Sequence, residues 1–101
     1  MSFENIIVTT FDIGELLCTC GIANAIRINP SYEAEIINAF IRYCNRDWSD
    51  MEYEEDKKRN DEAIASGETR ILASYKTSEG EIYIITEWDR SYTTIMFADE
   101  Y

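Results

Sequence analysis

The chain contains no histidine, one proline and four glycines among its 101 residues. The absence of histidine removes the most common general base, together with Ser–His, Cys–His and zinc–histidine arrangements. Any catalysis would therefore rest on carboxylates, tyrosines, lysine or arginine. The scarcity of proline and glycine leaves no flexible linker or low-complexity tract, and the length predicts one domain over residues 1–101.

Basic residues are also few. The sequence has nine lysines and arginines and twenty acids, so its formal net charge is −11. This balance argues against direct binding of nucleic acid, because a duplex carries about one negative charge per 1.7 Å and would repel the protein. It favours a partner with a basic surface, such as a host nucleic-acid-binding protein. Acidity that only maintains solubility is the alternative.

Cysteines and long apolar runs are scarce as well. Cys18, Cys20 and Cys44 form an odd set without a common zinc spacing, which predicts reduced thiols in a cytoplasmic protein. The longest apolar runs, at residues 6–8 and 82–85, have the length of strands and not of membrane spans. No secretory signal is visible, and we expect no membrane association and no cofactor.

Negative charge is abundant, and it is concentrated between residues 47 and 62. Eight acids and three bases occupy this stretch, so it holds about five of the eleven formal negative charges. Such a run can be a solvated helix face, a cation site or a surface for a basic partner. The residues predicted to bind a partner are Asp47, Asp50, Glu54, Glu55, Asp56, Asp61, Glu62, Glu87, Asp89, Arg90 and Glu100.

The hydrophobic pattern predicts an α+β fold, with two to three helices packed on one face of a three- to four-stranded antiparallel sheet. Residues 5–10 are typical of a strand, and Thr19 can cap a short helix over residues 21–26. The Asn-Pro pair at residues 29–30 predicts the start of the main core helix, which ends near Asn45.

A second helix and a β-meander are predicted in the rest of the chain. The pattern at residues 49–52 has the form of a capping box, and the helix would run to about Ser66 with Gly67 as its left-handed cap. The meander strands are predicted at residues 70–75, 81–86 and 92–97.

Trp48 and Trp88 are expected to anchor the core. An ion-pair network would tie the last hairpin to the helices through Asp89, Arg90, Arg42, Arg46 and Arg70.

With these elements placed, the chain resembles a family of small proteins encoded on plasmids, conjugative elements and prophages of mainly Gram-positive bacteria. The match covers roughly residues 36–101. Its motifs are Arg42-Tyr43, Asp47-Trp48-Ser49-Asp50, Glu55-Asp56, Asn60-Asp61, Gly67, Arg70-Ile71-Leu72, Tyr75, the run from Ile84 to Ser91, Thr93-Thr94 and Asp99-Glu100-Tyr101. The family usually has glycine at the position of Ser49 and proline at that of Ala98. The resemblance implies a mobile-element context and a fold, and it implies no reaction.

Three functions are compatible with these observations. The first is a non-enzymatic acidic interaction protein of a mobile genetic element, in one version a DNA-mimicking inhibitor of a host nucleic-acid-handling or defence protein. The second is an architectural homodimer joined through an exposed edge of the meander. The third is a divalent-metal-dependent hydrolase, whose carboxylates would be Asp47, Asp50, Asp56, Glu87 and Asp89.

Overall fold

A computed structural model describes residues 9–101 of the chain. Its elements are β1 (Glu15–Cys18), α1 (Cys20–Ile28), α2 (Tyr32–Cys44), α3 (Glu54–Ser66), β2 (Ile71–Thr77), β3 (Gly80–Thr86) and β4 (Tyr92–Phe97), followed by a 3-10 turn at Ala98–Glu100. The four strands form one sheet in the order β1–β4–β3–β2. Three helices and one sheet confirm the predicted α+β class.

The predicted meander is confirmed, because β3 pairs antiparallel with both β2 and β4. The sheet is nevertheless mixed, since β1 runs parallel to β4, with Leu17 beside Thr94. A strand of only four residues whose partner lies near the other end of the chain leaves little local pattern to read. The strand predicted over residues 5–10 lies outside the described residues except for Thr9 and Thr10, which are not in a strand.

The start of α1 is as predicted, since the Thr19 hydroxyl accepts the Ile22 N–H at 3.3 Å. The main helix, α2, begins at Tyr32, two residues later than the Asn-Pro pair suggested. The reason is a tight turn in which the Asn29 carbonyl accepts the Tyr32 N–H at 2.9 Å. The end of α2 at Cys44 agrees with the prediction.

The capping-box prediction at residues 49–52 is wrong, because α3 begins only at Glu54. The side chains of Ser49 and Asp50 are instead hydrogen-bonded to Arg42, so they do not cap a helix. The other end of α3 is as predicted, with Gly67 in the left-handed region at φ 69°. Glycine is favoured there because it has no Cβ.

The core lies between the helices and one face of the sheet. Tyr32, Tyr43 and Tyr75 are fully buried in it. Trp48 is buried as predicted, and its ring meets that of Tyr43 edge-on with 5.7 Å between the centroids. The core-anchor prediction is wrong for Trp88, which is 63% exposed.

A chain of buried hydroxyl groups crosses this core from α2 to the loop before β1. The Tyr43 hydroxyl lies 2.6 Å from that of Thr86, which lies 2.7 Å from that of Thr93. The Thr93 hydroxyl donates to the Ile13 carbonyl at 2.6 Å. Burial raises the pKa of Tyr43 far above its ordinary value, so the phenol keeps its proton at any physiological pH.

The outer edge of β2 is closed by side chains that occupy its free main-chain groups. The buried Asn60 of α3 donates to the Leu72 carbonyl at 2.9 Å and accepts the Leu72 N–H at 3.2 Å. Asp50 accepts the Lys76 N–H at 3.0 Å. At the opposite side of the meander, β4 is covered by β1. Both outer strands of the meander, β2 and β4, are therefore covered over part of their length. A dimer that paired through either strand would have to displace these contacts.

The Asn60 side chain is expected to contribute measurably to stability. Asn60→Ala removes both hydrogen bonds to Leu72 and should lower the free energy of unfolding by about 1 kcal/mol. The loss is limited because a groove lined by Asn60 and Leu72 runs along the outer edge of β2, and water in it can replace part of the bonding. Urea unfolding measures the change. A variant as stable as the parent would show that the edge of β2 needs no cover from α3.

Candidate functional site

The acidic stretch at residues 47–62 divides into a loop, in which Asp47 and Asp50 bind Arg42, and the helix α3, whose acids mostly face solvent. In the loop, the Arg42 guanidinium donates to Asp47 at 2.9 Å and to both carboxylate oxygens of Asp50 at 3.1 Å. It also donates to the Ser49 hydroxyl at 2.9 Å and lies over the Tyr75 ring, 5.1 Å from its centroid. Two of the acids predicted to bind a partner are thus ion-paired within the fold.

The Arg42 contacts determine how these carboxyl groups ionise. Hydrogen bonds from Arg42, and then from Ser49, hold the pKa of Asp47 far below its ordinary value. The pKa of Asp50 is lowered too, chiefly by its hydrogen bonds from Arg42. The same bonds raise the pKa of Arg42. Both carboxylates therefore stay ionised at neutral pH and orient the loop between α2 and α3.

The acids of α3 are presented on a helix that the core holds in place. Asn60 and Ala63 are buried on its inner face. The predicted partner-binding acids on its exposed face are Glu54, Glu55, Asp61 and Glu62. Three acids in the first turn are favourably placed, because the positive end of the helix dipole stabilises negative charge there. The helix thus offers a rigid array of carboxylates to a partner.

Some of these acids already have partners within the chain. Glu54 accepts from Lys57 at 2.9 Å, and Asp56 accepts from Arg59 at 3.5 Å. Asp61 accepts the indole N–H of Trp48 at 2.9 Å, which links the helix to the core. The two ion pairs of Glu54 and Asp56 lie at the surface and contribute little to stability, so a partner can replace them at small cost. Asp61 is the acid of α3 with a clear structural role.

The turn between β3 and β4 carries the predicted residues Glu87, Asp89 and Arg90, and Arg90 holds it against α3. The Arg90 guanidinium donates to the carbonyls of Ala63 at 2.8 Å and of Thr69 at 2.7 Å. Asp89 accepts the N–H and the hydroxyl of Ser91, and these bonds lower its pKa. The hairpin is thus tied to a helix, as predicted, but through carbonyl oxygens and not through the ion pairs expected for Asp89 and Arg90.

Of the remaining predicted residues, Glu87 begins the turn between β3 and β4, and Glu100 and Arg70 lie elsewhere. Glu87 is half-buried, and its N–H donates to the Tyr92 carbonyl at 3.0 Å. Glu100 accepts from the Thr19 hydroxyl at 2.9 Å and from the Phe97 N–H at 2.8 Å, so it contacts the start of α1 and not the acidic helix. Arg70 lies over the Tyr101 ring, 5.5 Å from its centroid.

The carboxylates of the hydrolase hypothesis do not converge into a recognisable cation site. Asp47 and Asp50 bind Arg42, Asp56 pairs with Arg59, and Asp89 bonds to Ser91. Within residues 9–101, no group of three or more histidine, cysteine or acidic side chains is placed to hold a metal ion. The three thiols are free, and burial raises the pKa of Cys44 to about 11.

Grooves open at two places on the surface of residues 9–101. One, of about 320 Å³, is apolar and lies beside β1, where Leu16, Ile22 and Ile36 line it. The other, of about 750 Å³, follows the outer edge of β2 and is lined by both acids and bases, Asp56 and Arg59 among them. The mixed charge of the second groove gives it no clear preference for a ligand of one sign.

Comparison with protein-family models, with curated proteins and with solved structures finds no match to this chain. Among the described residues, no helix combines the length and apolar character needed to cross a membrane.

Proposed function

We propose that this protein is a non-enzymatic interaction protein of a mobile genetic element, which binds a basic surface on a host nucleic-acid-handling or defence protein. The observation that carries the proposal is the exposed row of acids on α3, a helix fixed to the core by Asn60 and Ala63. The mobile-element context rests on the family resemblance, and the sign of the partner's charge follows from the formal net charge of −11.

Charge density decides how far the resemblance to DNA can extend. The 13 residues of α3 hold five acids and three bases. A helix of this length spans roughly 20 Å, over which a duplex would carry about twelve negative charges. The helix alone is therefore a poor copy of a duplex. Other exposed acids, such as Glu52, Glu68 and Asp89, would have to share the contact with the partner.

Charge reversal on α3 tests the proposal. We expect the triple variant Glu54→Lys, Glu55→Lys, Glu62→Lys to capture its partner from host lysate at least about tenfold less well than the parent. Asp61 is left unchanged because it bonds to Trp48. Capture by the parent should weaken between about 0.05 M and 0.5 M salt, as screening removes the attraction. Competition by duplex DNA would identify the DNA-mimicking version.

The matched control reverses three exposed acids elsewhere. Glu15→Lys, Glu33→Lys, Asp99→Lys makes the same change in net charge, and Glu33 lies in the first turn of α2 as Glu54 does in that of α3. Capture by this variant should be close to that of the parent. If both variants lose capture equally, total charge and not the α3 surface determines binding, and the proposed site is wrong.

A further inference from the structure

The turn between β3 and β4 is tightly held, yet it presents an exposed tryptophan. The Trp88 side chain is 63% exposed, and within residues 9–101 its indole has no ring contact, cation–π contact or hydrogen bond. A single exposed apolar residue needs no special explanation on most surfaces. Trp88 is informative because many contacts fix the backbone of the turn that carries it.

Four carbonyl oxygens fix the conformation of the turn. The Arg90 guanidinium donates to the carbonyls of Glu87 and Trp88 as well as to those of Ala63 and Thr69. Arg90 itself adopts φ 60°, a left-handed conformation that is strained for a residue with a Cβ. Strain of this kind persists only where the surroundings determine it. The backbone that carries Trp88 is therefore preorganised.

The loop before β1 supports the turn from the other side. The Ser91 carbonyl accepts the Glu15 N–H at 3.1 Å. Gly14 approaches so closely that a Cβ placed on it would lie 2.3 Å from the Arg90 carbonyl oxygen. Only glycine fits this contact without displacing the turn. Both flanks of the turn are thus packed, while the indole stays in solvent.

The charges around Trp88 indicate what it can bind. Glu87 and Asp89 flank it in the chain, and Glu68 precedes the Thr69 carbonyl that Arg90 contacts. Three carboxylates thus accompany two guanidinium groups: that of Arg90, whose donors already point at carbonyl oxygens, and that of Arg70, which follows Thr69 and lies over the Tyr101 ring. An exposed indole face in a surplus of negative charge attracts a cation, and arginine stacks on tryptophan more often than lysine does.

We propose that Trp88 anchors the protein on its partner by stacking against the guanidinium of an arginine in the partner's basic surface. This inference rests on the proposed function and names the residue and the chemistry of the contact. Tryptophan and arginine are the residues most enriched among those that dominate binding energy at interfaces. A preorganised anchor binds without the entropic cost of ordering its loop.

The test compares an arginine octapeptide with a lysine octapeptide of equal charge, using calorimetry on the purified protein in low salt. The parent should bind the arginine peptide about three- to tenfold more tightly than the lysine peptide. Trp88→Ala should abolish this preference, and Trp88→Phe should retain part of it. Because Trp88 is largely exposed, we expect both variants to keep the parent's melting temperature.

Tyr53 provides the matched control, since it is also 63% exposed but lies at the start of α3. Tyr53→Ala should leave the preference for arginine unchanged. Equal affinity of the parent for the two peptides, absence of binding, or a preference that survives Trp88→Ala would overturn the inference. The triple charge-reversal variant of α3 should bind both peptides more weakly, by the same factor. If its affinity for them is unchanged, that result counts against the proposed function and not against the role of Trp88.

Discussion

Replacing Thr86 by valine is expected to lower the free energy of unfolding by about 3 kcal/mol, because it leaves a buried phenol without an acceptor. Valine has the shape of threonine and lacks only its hydroxyl. Thr86 is 0% exposed and lies in the middle of the hydroxyl chain, so water cannot replace the lost group. A loss of this size is a large fraction of the roughly 5–15 kcal/mol that stabilises a typical domain.

The donor and acceptor of each hydrogen bond in the row of buried hydroxyl groups follow from the carbonyl at which the row ends. The Ile13 carbonyl can only accept, so the Thr93 hydroxyl uses its proton there. Thr86 must then donate to Thr93, and Tyr43 must donate to Thr86. Removing the Thr86 hydroxyl leaves the hydroxyl proton of Tyr43 without a hydrogen-bond acceptor. Tyr43→Phe removes that proton itself and leaves no unmatched donor, so it should cost only about 1 kcal/mol.

Urea unfolding of Thr86→Val, Thr86→Ser and Tyr43→Phe separates hydrogen bonding from packing. Thr86→Ser keeps the hydroxyl and removes one methyl group, which is worth about 1 kcal/mol. The valine variant should therefore be the least stable of the three. If the serine variant is less stable than the valine variant, packing of the methyl group and not the hydroxyl chain governs this part of the core.

The features that could be predicted from the sequence depend on neighbours within a few residues. Thr19 caps α1 through a bond to Ile22, and Gly67 ends α3 by its own backbone conformation. The meander follows from alternating residues and short turns. Local chemistry of this kind is readable because its partners are at fixed spacing.

The features that could not be predicted depend on partners distant in the chain. The pairing of Leu17 with Thr94 joins two ends of the sequence. Ser49 looks like a helix cap until the fold brings Arg42 to it. For the candidate site, composition indicated the exposed acids of α3. It did not distinguish Trp88 from Trp48, because their burial depends on where each motif lies in the finished fold.

The second large effect is expected at Arg42, where Arg42→Met should lower the free energy of unfolding by about 2 kcal/mol at neutral pH. Methionine keeps an unbranched aliphatic stem and removes the guanidinium, including its contact over the Tyr75 ring. Asp47 and Asp50 then lose their charged donor while remaining partly buried, with side-chain exposures of 40% and 24%. Solvent access keeps the loss below that of a fully buried ion pair.

Arg42→Lys should recover only part of this loss. An ammonium group cannot reproduce the planar fork that reaches Asp47, Ser49 and both oxygens of Asp50. A lysine variant as stable as the parent would show that charge alone, and not the geometry of the hydrogen bonds, holds the loop.

The pH dependence of this effect has a definite sign. The folded pKa values of Asp47 and Asp50 lie below the ordinary carboxyl value, so the pair stabilises the fold fully above that value and loses this contribution as the pH falls through the folded pKa values. The stability difference between parent and Arg42→Met should therefore be largest at neutral pH and shrink below about pH 4. Urea midpoints measured across this range test it. A difference that stays constant into acid would mean that Arg42 acts through its contact with Tyr75 and not through the two carboxylates.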